Sequence, residues 1–561
     1  MSRISPASSG SALHSVNTRW VLEAAGATFV LLFPAMNRVV MPGDWFVYHH
    51  RFPLTGVVDG LLLDGLGIAI AVVVAMLFLS RASLRPRRAL GAFLATLCLW
   101  AIVYCGMLLL ADWRATISSR LSGPSLLSTL GVWWFHWSFR VLIVLPPVLA
   151  ALSWWRPGFA RPIMATTRLI LAAAAFCWLW TLPELAVLAA RSHATEASAR
   201  VEAATRPLQQ RRIVWILFDE MSYKLALDDP PPGQSFPNLR RLRAESVSFD
   251  NVQPVGFYTD LIVPSLLANR TVVAYRGTSE GHLLVQDKGR PGWQSYDAHR
   301  TLFATAQAEG WNPGIVGWDI PYCRLMGSLL TRCFWEPGVG SELWFEPWAK
   351  SDSALSLALA LPRAFLARLH SLRAVQTRHL EIAAADDREL IAQSSAILAD
   401  PNVHFVYIHF PVPHPPGIFN RQTGALCACG NYLDNLAFAD TLLGRLRAEI
   451  DATAADTPTT LIISSDHSWR VPIWKASPGW TSEEEQISQG RFDPRPVFLV
   501  HFAGQTAAGD VRAPVPELVE HDVIEGLLTG NIRGPQDVEA LGKTRAVSGL
   551  QGKRLRAAAF P

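Results

Sequence analysis

Two patterns of apolar and polar positions divide the chain. Up to about residue 190 the apolar positions run in long stretches, near 20–37, 57–80, 89–111, 130–153 and 168–190. Each is close to the roughly 20 residues that an α-helix needs to cross a bilayer core. The pattern therefore predicts a transmembrane helical domain of about five helices over 1–190, with the first helix kept as an anchor because four more follow it. Residues 191–212 (RSHATEASARVEAATRPLQQRR) are Ala-rich and polar, with Arg on several faces, and read as a linker or interfacial helix. From residue 213 to 561 the apolar runs become short and β-branched. Strands are expected at Ile213–Phe218, Val247–Phe249, Ile315–Trp318, His404–Phe410, Thr459–Ser465 and Val497–Phe502. Helical periodicity occupies 299–309, 363–400 and 431–450; in the last, Leu436, Leu443, Leu446 and Ile450 share a face. Strands alternating with helices predict an α/β domain with a mostly parallel central sheet, whose ligands gather at the carboxyl ends of its strands.

Charge sharpens the division. Residues 1–190 hold 14 Arg, no Lys and only six Asp or Glu, so 76 of the 96 charged side chains fall in the remainder. The four arginines of the 81–88 loop, with Arg156 and Arg161 two spans later, assign those loops to the cytoplasm by the excess of positive charge there. Five spans then put the N-terminus inside and the α/β domain outside, although Arg38 and Arg51 of the first outer loop run against that rule. The expected protein is integral to a membrane, with the α/β domain extracytoplasmic. A net charge of +4 without a basic stripe argues against nucleic acid as a partner. Glu23, Asp64, His136, Arg140 and Glu184 fall in or near the spans, where ionisable groups need partners; pairing of Arg140 with Glu184 or Glu23 is the reading that requires least, and contact of Arg140 with a lipid or carrier phosphate is the alternative.

Cys98, Cys105 and Cys177 lie in the expected spans as small packing residues, whereas Cys323, Cys333, Cys427 and Cys429 lie in outer loops. An oxidising compartment permits disulfides there. Of the three pairings, Cys323–Cys333 is favoured over a metal site, because neither pair has the two-residue gap of a zinc knuckle.

Candidate chemistry sits at strand ends. Ile213–Phe218 is followed by Asp219 and Glu220, Thr459–Ser465 by Asp466 and His467, and His404–Phe410 contains His409 and leads to His414 in YIHFPVPHPP. Hard oxygen ligands with imidazole suit Zn²⁺, and also Mn²⁺. Singly, an Asp after a strand is a common helix cap and a His in a strand a common core residue. Three such strand ends together point to a site.

The order of Asp219-Glu220, FPNLRRLRAESVSFDNV, a Thr ahead of Pro-Ser, HFPVPHPP and SSDH resembles the sulfatase-like branch of the alkaline phosphatase superfamily. With the helical front it is most similar to membrane-bound phosphoethanolamine transferases and lipoteichoic acid synthases. The resemblance implies a membrane-anchored enzyme that moves a phospho-headgroup from a lipid donor to an envelope glycolipid or glycan acceptor. It implies Thr259, five residues before Pro264, as a nucleophile on the metal, with Ser265 as the fallback and a plain helix N-cap as the structural alternative for Thr259. Asp219 or Glu220, with Asp466 and His467, would be metal ligands. His414 and His409 would meet the substrate phosphate, His414 also serving a leaving group, and Lys224 would assist or simply be solvated. Two departures stand beside this. No Cys/Ser-x-Pro-x-Arg string, the source of formylglycine in sulfatases, is present, and Ser468-Trp469-Arg470 replaces the Gly-Glu that usually follows Asp-His in the phosphoethanolamine transferases. A phosphate or sulfate ester hydrolase and a catalytically silent lipid- or glycan-binding protein are the competing expectations.

Overall fold

The computed structural model describes residues 18–40, 54–118, 144–198, 210–278, 282–337, 372–453, 457–475 and 479–547, with 355, 358, 359, 477 and 551. They form two compact units, the first holding the described residues 18–40, 55–189, 355, 358 and 359 and the second the remainder.

The first unit is helical: Thr18–Val40, Leu54–Arg81, Leu84–Ser118, Val144–Trp155, Pro157–Ala174 and, as far as the division, Trp178–Ser198. Leu355, Ala358 and Leu359 group with it, so its boundary is not a single point in sequence. Three segments are long and apolar enough to cross a membrane: Val57–Arg81, Arg85–Val103 and Arg161–Ala190. They match three of the five expected spans. The expected 20–37 span falls in Thr18–Val40, a helix that is not among those three. Of the expected 130–153 span, the part before residue 144 lies outside the described residues. Helix Thr18–Val40 packs on Pro157–Ala174 where Gly26 meets the backbone of Leu171, an approach that a Cβ would obstruct. Beside it Glu23, only 4% exposed, accepts from Arg168 Nε and from Arg19 Nε, both at 2.9 Å. Glu23 thus has its partners in Arg19 and Arg168; Arg140 and His136 lie outside the described residues.

The second unit is built on strands β1 (Arg212–Phe218), β2 (Val247–Phe249), β3 (Val272–Gly277), β4 (Leu283–Asp287), β5 (Pro313–Trp318), β6 (Arg332–Glu336), β7 (Phe405–Phe410), β8 (Thr459–Ser464), β9 (Phe498–His501) and β10 (Gly509–Val511). Eight of them form one sheet in the order β10-β2-β9-β8-β1-β7-β5-β6. The run β8-β1-β7-β5-β6 is parallel, and β9 is antiparallel to both of its neighbours. All seven residues of β1 are buried, as a central parallel strand covered on both faces requires. Alternation sends Ile213, Trp215 and Leu217 into the core that includes the helix Val519–Thr529. Val214, Ile216 and Phe218 enter the opposite core, together with Leu436, Leu443, Leu446 and Ile450 of the helix Tyr432–Thr453.

This arrangement explains the FPNL string. Pro237 opens the helix Pro237–Ala244, and Asn238 Nδ2 and the Leu239 amide both donate to Asp440 of Tyr432–Thr453. One buried carboxylate thereby ties two helices of the same layer. Cys323 is bonded to Cys333 as expected from the sequence, and a second disulfide joins Cys427 to Cys429.

Candidate metal and phosphoryl-transfer site

Parallel pairing of β1 with β8 and β7 brings three chain turns to one sheet edge, and hydrogen bonds fix the turns to one another. Glu220 N donates to Asp466 Oδ1 (3.1 Å), Met221 N to Ser465 Oγ (2.8 Å), and Ser465 Oγ to the His467 carbonyl (2.7 Å). Glu220 adopts a left-handed φ of 69°, uncommon for a residue with a side chain. Its carbonyl accepts from Tyr432 Oη (2.8 Å), whose ring stacks on Trp469 at 4.3 Å. The surrounding structure thus holds a conformation that costs on the order of 1–3 kcal/mol.

That turn separates the two adjacent carboxylates. Asp219 faces Asp466 and His467, and one donor atom from each of the three lies within 4.8 Å of the others. Glu220 turns toward Arg470 and Trp474. Its Oε1 accepts from Arg470 Nε (2.7 Å), the Arg470 amide (2.9 Å) and Trp474 Nε1 (2.8 Å). The carboxylate of Glu220 is therefore fully occupied by the protein, and Asp219 is the member of the pair that enters the cluster.

Thr259 is the first residue of the helix Thr259–Ala268; Tyr258 holds the N-cap position, and no side chain caps this end. Freed from capping, the Thr259 hydroxyl donates to Asp466 Oδ2 at 2.7 Å and lies 3.3 Å from His467 Nε2. His467 Nδ1 is 3.1 Å from the Ser468 carbonyl, so its proton belongs there and the Nε2 lone pair faces the cluster. Ser265 lies deeper in the same helix, where its hydroxyl donates to Leu261 O and accepts from Val272 N. Lys224 is ion-paired with Asp229 (3.0 Å) on the surface.

The donor set fits a divalent cation. Both oxygens of Asp219 are buried without a hydrogen-bond partner, an arrangement costly for a carboxylate unless a cation satisfies it. Burial and the neighbouring Asp466 hold the Asp219 carboxyl well above the usual carboxylate range. Burial pushes Asp466 up to about 6, against the restraining hydrogen bond of Thr259. Burial, then the charge of Arg470, holds the His467 imidazole well below its ordinary value, so the ring is neutral and free to ligate. Two carboxylates, a hydroxyl and a neutral imidazole match the ligand preferences of Zn²⁺, and carboxylate oxygens also suit Mn²⁺.

His409 and His414 flank the cluster. His409 Nδ1 is 2.8 Å from Tyr322 Oη, and its buried Nε2 has no protein partner. Burial pushes His409 down to about 3 and His414 down to about 4, so both are neutral near pH 7. The ring of His414 lies between Trp318 (5.7 Å) and Trp474 (5.1 Å).

The structure adds residues that the sequence reading passed over. Arg470 is nearly buried and lies against the rings of Phe257 (6.0 Å) and Tyr258 (5.9 Å). It is the cation that tempers the charge of Asp219, Asp466, Asp260 and Asp319. Asp319 follows β5 as Asp219 follows β1, so the same strand-end rule would have found it. Asp260 accepts from Tyr275 Oη at 2.6 Å beside Thr259, and loss of hydration pushes it up to about 6. Breaking the Glu220–Arg470 pair removes from a buried guanidinium the carboxylate that hydrogen-bonds it. Glu220→Gln is expected to cost about 3–5 kcal/mol of stability, read as a fall in the denaturation midpoint; an unchanged midpoint would show that the pair does not hold the turn.

Comparison with known proteins places this geometry. The Sulfatase family matches residues 211–515, more than half of the chain. Among solved structures, a sulfatase from Pseudoalteromonas sp. aligns with TM-score 0.38 and 13% identity over 57% of this chain and 68% of its own. The lipoteichoic acid synthase LtaP from Listeria monocytogenes aligns with TM-score 0.34 and 11% identity over 60% and 77%. The phosphonate monoester hydrolase of Agrobacterium radiobacter aligns with TM-score 0.33 and 13% identity over 57% and 73%. No curated protein matches the sequence.

Proposed function

Because the chain belongs to the sulfatase family, we propose that it is a membrane-anchored, metal-dependent transferase of the alkaline phosphatase superfamily. It would move a phospho-headgroup of the phosphoethanolamine or phosphoglycerol type from a lipid donor to an envelope glycolipid or glycan. The observation that carries this reading is the Thr259 hydroxyl, 2.7 Å from Asp466 and beside the unpartnered carboxylate of Asp219. A Thr in this place favours phosphoryl over formylglycine chemistry, since no formylglycine string is present.

Asp219, Asp466, His467 and Thr259 would hold the metal. When bound, a divalent cation lowers the pKa of a ligated hydroxyl and offsets charge on phosphoryl oxygens. The protein's own groups supply the remainder. Asp466 accepts the hydrogen bond of the Thr259 hydroxyl; it would take that proton as the Oγ1–phosphorus bond forms and the bond from phosphorus to the diacylglycerol oxygen breaks, and return it when Thr259 is displaced. The departing oxygen would take a proton from His414, a step that requires the bound anionic phosphodiester to raise a ring that burial holds down at about 4. The neutral ring then accepts the proton of the acceptor hydroxyl as that oxygen displaces Thr259. His409, held by Tyr322, presents its free Nε2 to the substrate side. Trp318 and Trp474 restrict the His414 ring and limit the access of water.

We infer an extracytoplasmic catalytic unit; the arginines of the 81–88 loop and the two disulfides, which suit an oxidising compartment, support this reading. A reporter fused after Pro561 is expected to be active only outside the cytoplasm, and activity inside would reverse the topology. The experiment that tests the activity is mass spectrometry of products after incubation with labelled phosphatidylethanolamine or phosphatidylglycerol. Labelled headgroup on a glycan or glycolipid acceptor is the expected product. Release of free headgroup phosphate alone would favour the hydrolase, and no product at all the silent binder.

A further inference from the structure

The α/β unit carries a second charged cavity. It measures about 430 Å³, and four cationic side chains, Arg270, Lys288, Arg290 and Arg300, line it against the one carboxylate of Asp287. The hairpin β3–β4 shapes it, through the Lys288 amide on the Thr271 carbonyl (2.8 Å) and the turn that returns the Arg290 amide to the Asp287 carbonyl (3.1 Å). Asp287, with its side chain only 7% exposed, orients two of the cations: Arg270 Nη1 lies 3.3 Å from its Oδ2 and Arg290 Nη1 lies 4.0 Å from it. Arg270 is also held over the ring of Tyr296 at 5.1 Å, and its buried Nε donates to no protein acceptor. Lys288 has no ion-pair partner among the described residues.

Arg300 also pairs with Asp297 at 3.6 Å, so two carboxylates stand against four cations and the cavity keeps a positive excess. Arginine forks recognise tetrahedral oxyanions through paired N–H donors, and lysine adds a point charge. A wall of charged side chains disfavours an apolar ligand, and a cluster confined to one half-open pocket, unlike a stripe, does not track a nucleic-acid backbone. The cavity is also separate from the Thr259 site. Helix Thr259–Ala268 begins at the nucleophile and ends at Ala268 in the cavity wall, a rise of about 15 Å over ten residues.

We propose that this cavity is an anion site for a phosphate-bearing group, either the phosphodiester of a lipid headgroup or a free phosphate chain. It stands on its own residues and does not require the transferase reading. Arg290 and Arg300 are 67% and 78% exposed and serve as the probes, whereas Arg270 is left in place because it holds Asp287.

The test is calorimetric titration of inorganic pyrophosphate into the full chain in phosphatidylcholine nanodiscs. Wild type and Asp466→Asn are expected to share a binding event that an Arg290→Gln/Arg300→Gln double variant weakens about ten-fold or more, since charge-assisted hydrogen bonds are lost. Its denaturation midpoint and phosphodiester turnover should stay at the wild-type level. Repeating the titration in nanodiscs containing phosphatidylglycerol assigns the source. Weaker pyrophosphate binding there, in wild type only, identifies the lipid headgroup, and unchanged binding identifies free phosphate; both results support the site. Equal binding by the double variant, or no event beyond one that Asp466→Asn abolishes, would overturn it.

Discussion

Thr259→Ala is expected to lower turnover by about 10³-fold or more, because it removes the atom that forms the new bond to phosphorus rather than one that adjusts it. The fold should survive. Thr259 supplies no cap to its helix, and its one strong hydrogen bond goes to Asp466, which keeps the amides of Glu220 and His467. Thr259→Ser retains the oxygen and loses only the methyl that restricts χ1, so it should keep roughly a tenth of the activity. Steady-state turnover of a model phosphodiester, with the denaturation midpoint as a control on folding, checks both variants. Activity of Thr259→Ala within ten-fold of wild type would remove Thr259 from the chemistry.

The second large effect concerns the cluster around it. His467→Ala or Asp466→Asn should lower metal content and activity together, by more than about 100-fold in metal affinity, since even groups that only support ligands cost 10–100-fold. Asp219→Asn should do the same. Glu220→Gln should keep its metal, because the Glu220 carboxylate is committed to Arg470 and Trp474. Elemental analysis of the purified variants measures this directly. Full metal content in His467→Ala, or loss of metal only in Glu220→Gln, would move the site to the other side of the turn. Protein-bound metal also reports on stability: Asp219 and Asp466 are buried and Arg470 offsets their charge only in part, so chelation should lower the denaturation midpoint.

Much of this was legible in the chain because central parallel strands are apolar along their whole length. Ile213–Phe218, His404–Phe410 and Thr459–Ser465 stand out for that reason, and the structure has them as β1, β7 and β8. The polar residues that follow them were equally visible. Strand β6, RCFWE, was missed because it sits at the sheet edge with polar ends and a cysteine, and hairpin β3–β4 because its strands are only partly buried. The choice between Asp219 and Glu220 was open in the sequence, since it depends on a single left-handed turn that no periodicity encodes. Arg470 was hidden for a related reason. It lies three residues beyond His467 in an unfamiliar string, and its role depends on a contact 250 residues away in Glu220. The apolar front was legible as composition, and at three of its expected spans the structure has helices long and apolar enough to cross a membrane.

The central claim is a covalent bond between phosphorus and the Thr259 oxygen, and peptide mass spectrometry after rapid quenching of the enzyme with a labelled donor lipid tests it most directly. A phospho-headgroup on the peptide that carries Thr259, absent from Thr259→Ala, is the predicted result. A headgroup on Ser265, or product formed at the wild-type rate by Thr259→Ala with no adduct on any peptide, would contradict the account.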